Sequence, residues 1–224
     1  MNVLITAGGT KEDIDPVRGI SNYATGRLGS LIAGRFICGG DTVTYICGET
    51  AKHPPFDPNL EIKIIRGTAQ LKEQMEQALY AKHYDAVIHT MAVSDYAPCN
   101  TADKKISSDL PYLIVVLKRL PKVIQCVKEI QPDTLLIGFK LIAGGKSSGG
   151  ASEEELIQAA NKLMEKSRSD YVLANALESI GEDCHKGLLI SRNGVVGRGN
   201  SKEEIAEMIY ENCNSWYNRK HSGL

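Results

Sequence analysis

Short apolar runs and amphipathic stretches alternate along most of the chain. The apolar runs are three to eight residues long and rich in β-branched residues, which is typical of buried strands, whereas the amphipathic stretches have helical spacing. We predict strands at 3–5, 42–47, 62–65, 84–91, 134–141, 171–173 and 187–191, and helices at 28–38, 68–82, 120–129, 152–167 and 201–217. Strands that alternate with helices form a parallel sheet with right-handed crossovers. The predicted fold class is therefore α/β: a doubly wound, mostly parallel, Rossmann-like sheet with helices on both faces.

The loop after the first strand is unusually long and rich in glycine. The strand runs into Ala7, Gly8, Gly9 and Thr10, and helical periodicity resumes only near Gly26. In a parallel sheet this loop lies at the carboxyl edge, where open α/β sheets bind ligands and where helix N-termini favour anions. The loop contains neither G-x-G-x-x-G nor G-x-x-x-x-G-K-[ST]. The pattern indicates an anion or nucleotide site, or else glycines that serve only a tight turn.

Charged residues follow the strands and helices at other points of the same predicted edge. Asp95 comes after the fourth strand, which places it beside the first loop if the sheet is doubly wound. Lys162 and Lys166 lie one turn apart on a predicted helix, where like charges repel slightly. A triphosphate could engage both lysines, and the alternative is an ordinary solvated helix face.

Residues 97–120 break the alternation of strands and helices. A polar loop with Lys104 and Lys105 precedes an apolar run at 113–117, and no helix is long enough to be a crossover. We predict a projecting β flap, which either pairs with a second subunit or folds as an edge strand on its own sheet. Residues 143–151 form a second flexible segment of glycine and serine, which serves as a lid or as a linker.

The composition is that of an ordinary globular protein and narrows the function classes. The chain has 224 residues, 42% of them hydrophobic and 24% charged, with a net charge of -1, which suits a single domain over 1–224 and gives no support to nucleic acid as a partner. It has no apolar run that could span a bilayer and no leader before the first strand, so we expect a cytoplasmic protein without membrane association. The six cysteines show no C-x-x-C spacing and are expected to be reduced.

Several motifs resemble those of one enzyme family, the phosphopantothenate-cysteine ligases. The run AGGTKEDIDPVRGISNYATGRLG at 7–29 resembles the opening of these ligases, which reads GGT, then D-P-V-R-x-I-S-N and a later G-x-x-G. The sequences AVSDY, K-I in the flap, G-F-K-L, and A-x-K-L-x-x-K before D-Y-V-L-A-N look like further family landmarks in the same order. The resemblance implies ligation of 4'-phosphopantothenate to L-cysteine through an acyl-nucleotide, with release of NMP and pyrophosphate, in coenzyme A biosynthesis. It also implies a homodimer, and a chain that begins at the ligase strand is expected to be of the monofunctional bacterial type.

The resemblance further implies roles for individual residues. Asn22 is expected to hold the acyl-nucleotide with Arg18 beside it, and Lys105 of the flap is expected to take part in catalysis. The positions expected to bind the nucleotide are Gly9, Thr10, His89, Thr90, Met91, Asp95, Phe139, Lys162 and Lys166. The expected co-substrate is CTP with Mg²⁺, and ATP is the alternative. Bacterial relatives commonly use CTP, and Met91 would narrow the base pocket if its side chain pointed inward. The metal ligands are not predicted.

Two other function classes stay open. An NAD(P)-dependent oxidoreductase of the Rossmann type would share the fold, but the dinucleotide fingerprint is missing, and Tyr23 is followed by Arg27 where a Y-x-x-x-K pair needs lysine. A non-catalytic nucleotide-binding regulatory module would keep the first loop but would have no need of Lys105 in a mobile flap.

Overall fold

The computed structural model describes residues 1–109, 111–143, 150–181 and 184–222. The strands in these ranges are β1 (Asn2–Ala7), β2 (Lys11–Asp15), β3 (Arg18–Ser21), β4 (Thr42–Gly48), β5 (Leu60–Ile65), β6 (Ala86–His89), β7 (Tyr96–Pro98), β8 (Leu117–Arg119), β9 (Leu135–Ile142), β10 (Tyr171–Ala176), β11 (Gly187–Ser191) and β12 (Gly194–Gly199). The helices are α1 (Arg27–Cys38), α2 (Thr68–Ala81), α3 (Gln125–Ile130), α4 (Glu153–Ser167) and α5 (Lys202–His221), with one 3-10 turn at Leu177–Ser179.

The central sheet confirms the predicted doubly wound architecture. Its strand order is β12-β11-β10-β9-β6-β1-β4-β5. The strands from β10 to β5 are parallel to their neighbours, and β11 and β12 add an antiparallel edge. Counted along the chain, the parallel strands have the order 3-2-1-4-5-6 of dinucleotide-binding folds. The winding reverses between β1 and β6, so the carboxyl ends of these two strands border the crevice where such sheets bind ligands.

Helices cover both faces of this sheet, and β1 shows how the sequence specifies the two cores. Ile5 packs into a cluster with Phe36 of α1 and residues of α5, whereas Leu4 packs into a second cluster with Met75 of α2 and Val127 of α3. A third cluster joins α4 to β10 on the α2 side of the sheet. Because β1 is buried on both faces, it reads as a continuous apolar run rather than as an alternating one.

The first loop contains a hairpin that the hydrophobic pattern did not predict. β2 and β3 pair as antiparallel strands, with Lys11 opposite Ser21 and a turn at 16–17. The predicted long loop between the first strand and Gly26 is therefore present, but it contains these two strands, which were not predicted. β2 has the sequence KEDID, which lacks the apolar alternation of a half-buried strand, and it is held by ionic and polar side-chain contacts described below.

Other boundaries also differ from the prediction. The strand predicted at 84–91 is limited to β6, the helix predicted from residue 120 begins only at Gln125, and β12 was not predicted. Residues 144–149 of the predicted flexible loop and residue 110 of the flap lie outside the described residues. The lid role of residues 143–151 and the single-domain organisation of 1–224 stay predictions.

The flap projects from the sheet on the short antiparallel ribbon of β7 and β8. Within the described residues this ribbon does not join the central sheet, and β8 pairs with β7 of the same chain; whether the flap also pairs with a second subunit stays a prediction. The apolar run is strand only at its end, in β8, and the side chains of Tyr112, Ile114 and Val116 are 82%, 85% and 66% exposed. None of the helices in the described ranges has the length and apolar character needed to cross a membrane.

Candidate active site

Main-chain hydrogen bonds join the loops that follow β1 and β6. Ala92 N donates to Gly8 O at 2.9 Å, and Thr10 N donates to Ala92 O at 3.2 Å. Gly9 and Ala92 form a parallel bridge between these two bonds. The floor of the crevice at the switch point is therefore protein backbone, and the side chains that rise around it determine what it can bind.

Close packing explains the glycines of the first loop. Gly8 and Gly26 have φ angles of 80° and 73°, and a Cβ atom at these positions would lie 2.6 Å and 2.9 Å from the Cβ of Ala51. A Cβ at Gly48 would lie 2.3 Å from Gly9 O. The tight-turn explanation thus accounts for Gly8 and Gly26. The adjoining N-terminus of α1 has no acidic residue in its first turn and keeps the polarity that favours an anion.

Thr10, which we expected to bind the nucleotide, is fully buried. Its hydroxyl donates to Ser94 Oγ at 2.9 Å and accepts from Ser94 N at 2.9 Å. Thr68 Oγ1 lies 3.4 Å from the same hydroxyl. In this structure Thr10 fastens the β1 loop to the β6 loop and to the start of α2.

The predicted nucleotide positions at the end of β6 are built into the sheet. His89 Nδ1 lies 2.9 Å from Thr6 Oγ1, and Thr90 Oγ1 donates to Thr6 O at 2.8 Å. Burial lowers the pKa of His89 to about 4, so its imidazole is neutral at pH 7. Met91 is 6% exposed and packs in the core cluster under α2, so its side chain does not narrow an open base pocket here.

The hairpin carries Asn22 to the crevice. Asn22 Nδ2 donates to Ala92 O at 3.1 Å, and Ser21 Oγ donates to Thr10 O at 3.1 Å. Asn22 is exposed, and the bond to Ala92 uses one of its two amide hydrogens. The carboxamide therefore keeps one donor and its oxygen for a ligand, without a charge and without a competing nucleophile.

Acidic side chains that sequence reasoning missed anchor the hairpin to the sheet. Arg66 donates from Nε and Nη2 to the two oxygens of Asp13, both at 2.8 Å, and from Nη1 to Glu49 at 3.0 Å. The hydrogen bond from Arg66 holds the pKa of Asp13 below its usual value. Glu12 accepts from Thr68 N at 2.9 Å and so caps the first turn of α2. Polar residues on both sides of a Pro-Val turn were the signal that could have revealed this hairpin.

Asp15 joins the hairpin to the flap. Its Oδ2 atom accepts from Ile106 N at 3.2 Å, and Arg18 Nη2 donates to Ile106 O at 3.2 Å. Burial by itself would raise the pKa of Asp15, but the N–H groups of Val17, Ile106 and Arg18 and the charge of Arg18 outweigh it, so the pKa lies below its usual value. Lys105 precedes Ile106 directly and is exposed. The structure therefore brings Arg18 and the backbone beside Lys105 together.

A second polar region surrounds the segment before α3. Asp95 forms an ion pair with Lys122, which sequence reasoning did not single out. Gln125 Nε2 donates to Lys166 O at 3.1 Å, which places the C-terminal part of α4 beside this segment. Lys162 and Lys166 are both exposed on α4. Asp95 and the end of α4 that carries Lys166 thus contact the same short segment, and Lys162 lies one turn earlier on α4.

Phe139 does not lie on the same side of the sheet as these lysines. It packs against the core cluster of α1 and α5, whereas its neighbour Gly138 faces Leu163 of α4, so Phe139 lies on the opposite face of the sheet.

A groove of about 840 Å³ runs along α2 and is bordered by Leu120 and Pro121, next to Lys122. Within the described ranges, no three His, Cys, Asp or Glu side chains form a cluster that could hold a metal ion.

These features define a class of protein: a doubly wound α/β domain whose first loop carries a hairpin tied to a flap beside the switch point. Residues 1–216 match the model of the DNA/pantothenate metabolism flavoprotein C-terminal domain, and the chain belongs to this family.

Similar proteins support this membership. The chain is 37% identical over 210 residues to the coenzyme A biosynthesis bifunctional protein CoaBC of Thermococcus kodakarensis, with 93% of this chain and 50% of that protein covered. The chain spans about half the length of the curated relatives it matches. The DNA/pantothenate metabolism flavoprotein from Streptococcus pneumoniae is 34% identical, with a TM-score of 0.87 over 96% of this chain and 99% of that one. A Cab2 mutant in complex with phosphopantothenate-cysteine shares the fold, with a TM-score of 0.78 at 17% identity over 98% of this chain and 88% of that one.

Proposed function

We propose that this protein ligates 4'-phosphopantothenate to L-cysteine through an acyl-nucleotide intermediate. The observation that carries the proposal is the grouping of Asn22, Arg18 and the Lys105 segment on one hairpin and flap beside the switch point. These are the residues to which the resemblance assigns the chemistry. Family membership and relatives that bear the name of a coenzyme A biosynthesis protein support the same activity.

The reaction has to activate a carboxylate, because an amine does not displace oxide from a carboxylate anion. A carboxylate oxygen of the pantothenate moiety attacks the α-phosphorus of the nucleotide, and pyrophosphate leaves. The amine of cysteine then attacks the acyl carbon, loses a proton, and displaces the nucleoside monophosphate. Each step needs donors and cations at the developing charge. The free donor of Asn22 suits the acyl phosphate, and the exposed cation of Lys105 suits the charge on the transferring phosphoryl group.

We propose CTP as the nucleotide and ATP as the alternative, on the basis of the resemblance to bacterial ligases. Lys162 and Lys166 of α4, together with Lys122, offer positive charge for the phosphates. Mg²⁺ typically binds one or two carboxylates together with substrate phosphates rather than a dedicated protein cage. Asp95 would hold it only by exchanging its ion pair with Lys122 for the metal, which would leave Lys122 to the phosphates. The metal would neutralise charge on the departing pyrophosphate.

We also propose that the protein is a homodimer joined through the flap. Three alternate residues in and next to the apolar run, Tyr112, Ile114 and Val116, are at least 66% exposed. Exposed apolar strand-forming segments are prone to pair with another chain. A second copy of the same run is the self-complementary partner that two-fold symmetry provides.

We also propose that this protein works in the cytoplasm.

Pyrophosphate release tests the proposed activity directly. Protein, Mg²⁺ and CTP are incubated with 4'-phosphopantothenate, with and without L-cysteine, and pyrophosphate and the acyl-cysteine product are measured. We expect pyrophosphate release that depends on phosphopantothenate and sustained turnover only with cysteine. The Lys105→Gln variant is the matched control for a contaminating ligase. No phosphopantothenate-dependent release with either CTP or ATP would refute the proposal, and hydride transfer to a nicotinamide cofactor would favour the oxidoreductase class.

A competition assay tests the nucleotide. Equal concentrations of CTP and ATP are supplied in one reaction, and the monophosphate released is identified by mass. Predominant CMP supports the proposal. Predominant AMP would overturn the choice of nucleotide and would leave the ligase activity intact.

A further inference from the structure

One buried carboxylate holds two parts of the candidate site at once. We propose that Asp15 is a positioning residue, which sets the place of Lys105 relative to Asn22 by clamping the flap to the hairpin. The catalytic part of this inference rests on the proposed ligase function. The clamp itself is a property of the fold and can be measured without substrates.

The two oxygens of Asp15 serve different partners. Oδ1 accepts from Val17 N at 2.9 Å and from Arg18 N at 2.8 Å, which shapes the hairpin turn. Oδ2 accepts from Ile106 N at 3.2 Å and lies 3.6 Å from Arg18 Nη1. The side chain of Asp15 is 0% exposed. A buried carboxylate with this set of donors is not free to rotate, so the flap position is tied to the turn.

Arg18 completes the clamp by binding the other polar backbone group of the same residue, Ile106. Asp15 binds the N–H of Ile106, and Arg18 Nη2 binds its C=O at 3.2 Å. The backbone one residue from Lys105 is therefore held at both polar groups. The side chain of Lys105 is exposed, so the core does not determine where it lies.

The preceding part of the flap runs along β2 and reinforces the clamp. Ala102 N donates to Ile14 O at 2.9 Å, and Thr101 Oγ1 donates to Asp13 O at 3.1 Å. The other strand of the hairpin leads directly to Asn22. Hairpin and flap thus form one hydrogen-bonded unit that carries both proposed reactive positions, and Asp15 is its buried junction.

Asp15→Asn separates the two functions of the carboxylate. The amide can keep an oxygen for Val17 N and Arg18 N, but its NH₂ group then faces Ile106 N and the Arg18 guanidinium, where an acceptor is needed. Loss of a charged acceptor of this kind changes an equilibrium by roughly tenfold to a hundredfold. We expect hydrogen exchange in residues 101–109 to accelerate by that factor.

The experiment combines exchange with kinetics. Hydrogen exchange by mass spectrometry is measured on the whole protein without ligands for wild type, Asp15→Asn, Thr101→Val and Glu153→Gln. Glu153 forms an exposed ion pair with Arg198 and is the control for loss of a carboxylate elsewhere. For the same variants, kcat and KM of pyrophosphate release are determined with saturating phosphopantothenate. We expect Asp15→Asn to lower kcat on the order of a hundredfold, as misplacement of a reacting group does, with little change in the KM for nucleotide.

The outcomes separate the clamp from the ligase activity. Faster exchange confined to residues 101–109 together with lower kcat supports the inference. Unchanged exchange there overturns the clamp, whatever the activity. Faster exchange with wild-type kcat overturns the positioning role. If Asp15→Asn does not fold, the Thr101→Val variant tests whether bonds between flap and hairpin position Lys105. We then expect a smaller rise in hydrogen exchange and a smaller fall in kcat than for Asp15→Asn. A wild-type protein without ligase activity overturns the proposed function and the catalytic part of the inference, while exchange still decides whether the clamp exists.

Discussion

Lowering the pH should decrease the free energy of unfolding of this protein, because the buried imidazole of His89 becomes protonated. The side chain is 7% exposed, and its Nδ1 atom lies 2.9 Å from Thr6 Oγ1. The same hydroxyl lies 3.4 Å from Met91 N, from which it accepts, so its own hydrogen is available to His89 Nδ1. This arrangement suits a neutral imidazole, and protonation would place a charge in the core.

The size of the effect follows from the pKa of His89, which burial lowers from 6.5 to about 4. The unfolded chain binds the proton more strongly, so stability rises with pH between these two values and is fully present only above the higher one. At about 1.4 kcal/mol per unit, the whole shift corresponds to about 3 kcal/mol. Roughly 2 kcal/mol of this should already be lost at pH 5.

Urea unfolding of wild type and His89→Asn at pH 7.5 and pH 5.0 measures this contribution. Asparagine does not titrate and keeps an acceptor near Thr6, so the cavity that it leaves is the same at both pH values. We expect wild type to lose about 2 kcal/mol more than the variant between the two conditions. Asp13, Asp15 and His185 titrate in both proteins, and their contributions cancel in the comparison. Equal losses in the two proteins would refute the reasoning.

Four further predictions test the site, the proposed dimer and the fold. Asn22→Asp replaces the donor at the crevice with a repelling carboxylate, and ligation should fall roughly a hundredfold in the pyrophosphate assay; normal ligation would show that the assigned role is wrong. Lys105→Gln should lower kcat by a similar factor with unchanged circular dichroism and solution mass, and an unchanged rate would make Lys105 an ordinary surface residue. Ile114→Asp should convert a dimer to a monomer in light scattering, whereas Ile62→Asp on β5 is a control for an exposed apolar residue away from the flap; a dimer that persists contradicts the proposed interface. Lys128→Ala should cost about 2 kcal/mol in urea unfolding, because the Nζ atom donates to the buried Thr134 O at 2.7 Å, and its ion pair with Asp170, which is 39% exposed, adds little; a loss below about 0.5 kcal/mol would mean that neither contact contributes.

The fold was largely predictable because its central elements are specified by local pattern. β1, β4 and the first half of β9 are buried on both faces, and that requires helices on both faces. The start of α4, predicted within one residue, is stabilised by a capping box of neighbouring residues, in which Ser152 Oγ accepts from Glu155 N at 3.3 Å and Glu155 Oε2 accepts from Ser152 N at 2.8 Å. Both kinds of signal lie within a few residues of the element that they predict.

The hairpin and its clamp were not predictable, because distant residues stabilise them. Arg66 lies 53 positions from Asp13, and Ile106 lies 91 positions from Asp15. β2 has no apolar face and would not form a stable strand by itself. The glycine pattern indicated a ligand site in this loop without its structure, and the resemblance assigned roles to Asn22 and Arg18 rather than to the carboxylates that hold the hairpin.

Contacts between distant residues also limited the prediction of the nucleotide-binding positions. Asp95, Lys162 and Lys166 were predicted from position and resemblance, and contacts tie Asp95 to Lys122 and the backbone of Lys166 to Gln125. Lys122, the partner of Asp95, was missed, because a lysine after a proline carries no local signal of its partner. The argument from side-chain size at Met91 depended on an orientation that sequence cannot give, and the side chain is in the core.

The hairpin also explains why a dinucleotide-binding strand order need not carry dinucleotide chemistry. In the Rossmann fingerprint a short glycine turn leads straight from β1 to the helix, so that the pyrophosphate lies on the helix N-terminus. Here residues 8–26 intervene, and Asn22 and Thr10 both bond Ala92 across the switch point. The long loop and its bonds to Ala92 thus replace the short glycine turn of that fingerprint. The N-terminus of α1, which has no acidic residue in its first turn, and the amide donor of Asn22 follow from this loop, and the flap backbone next to Lys105 is bonded to the same hairpin. We propose that this arrangement suits a carboxylate that is being joined to a phosphate. The same sheet that would position a nicotinamide in an oxidoreductase therefore supports the ligase proposal better than the oxidoreductase alternative.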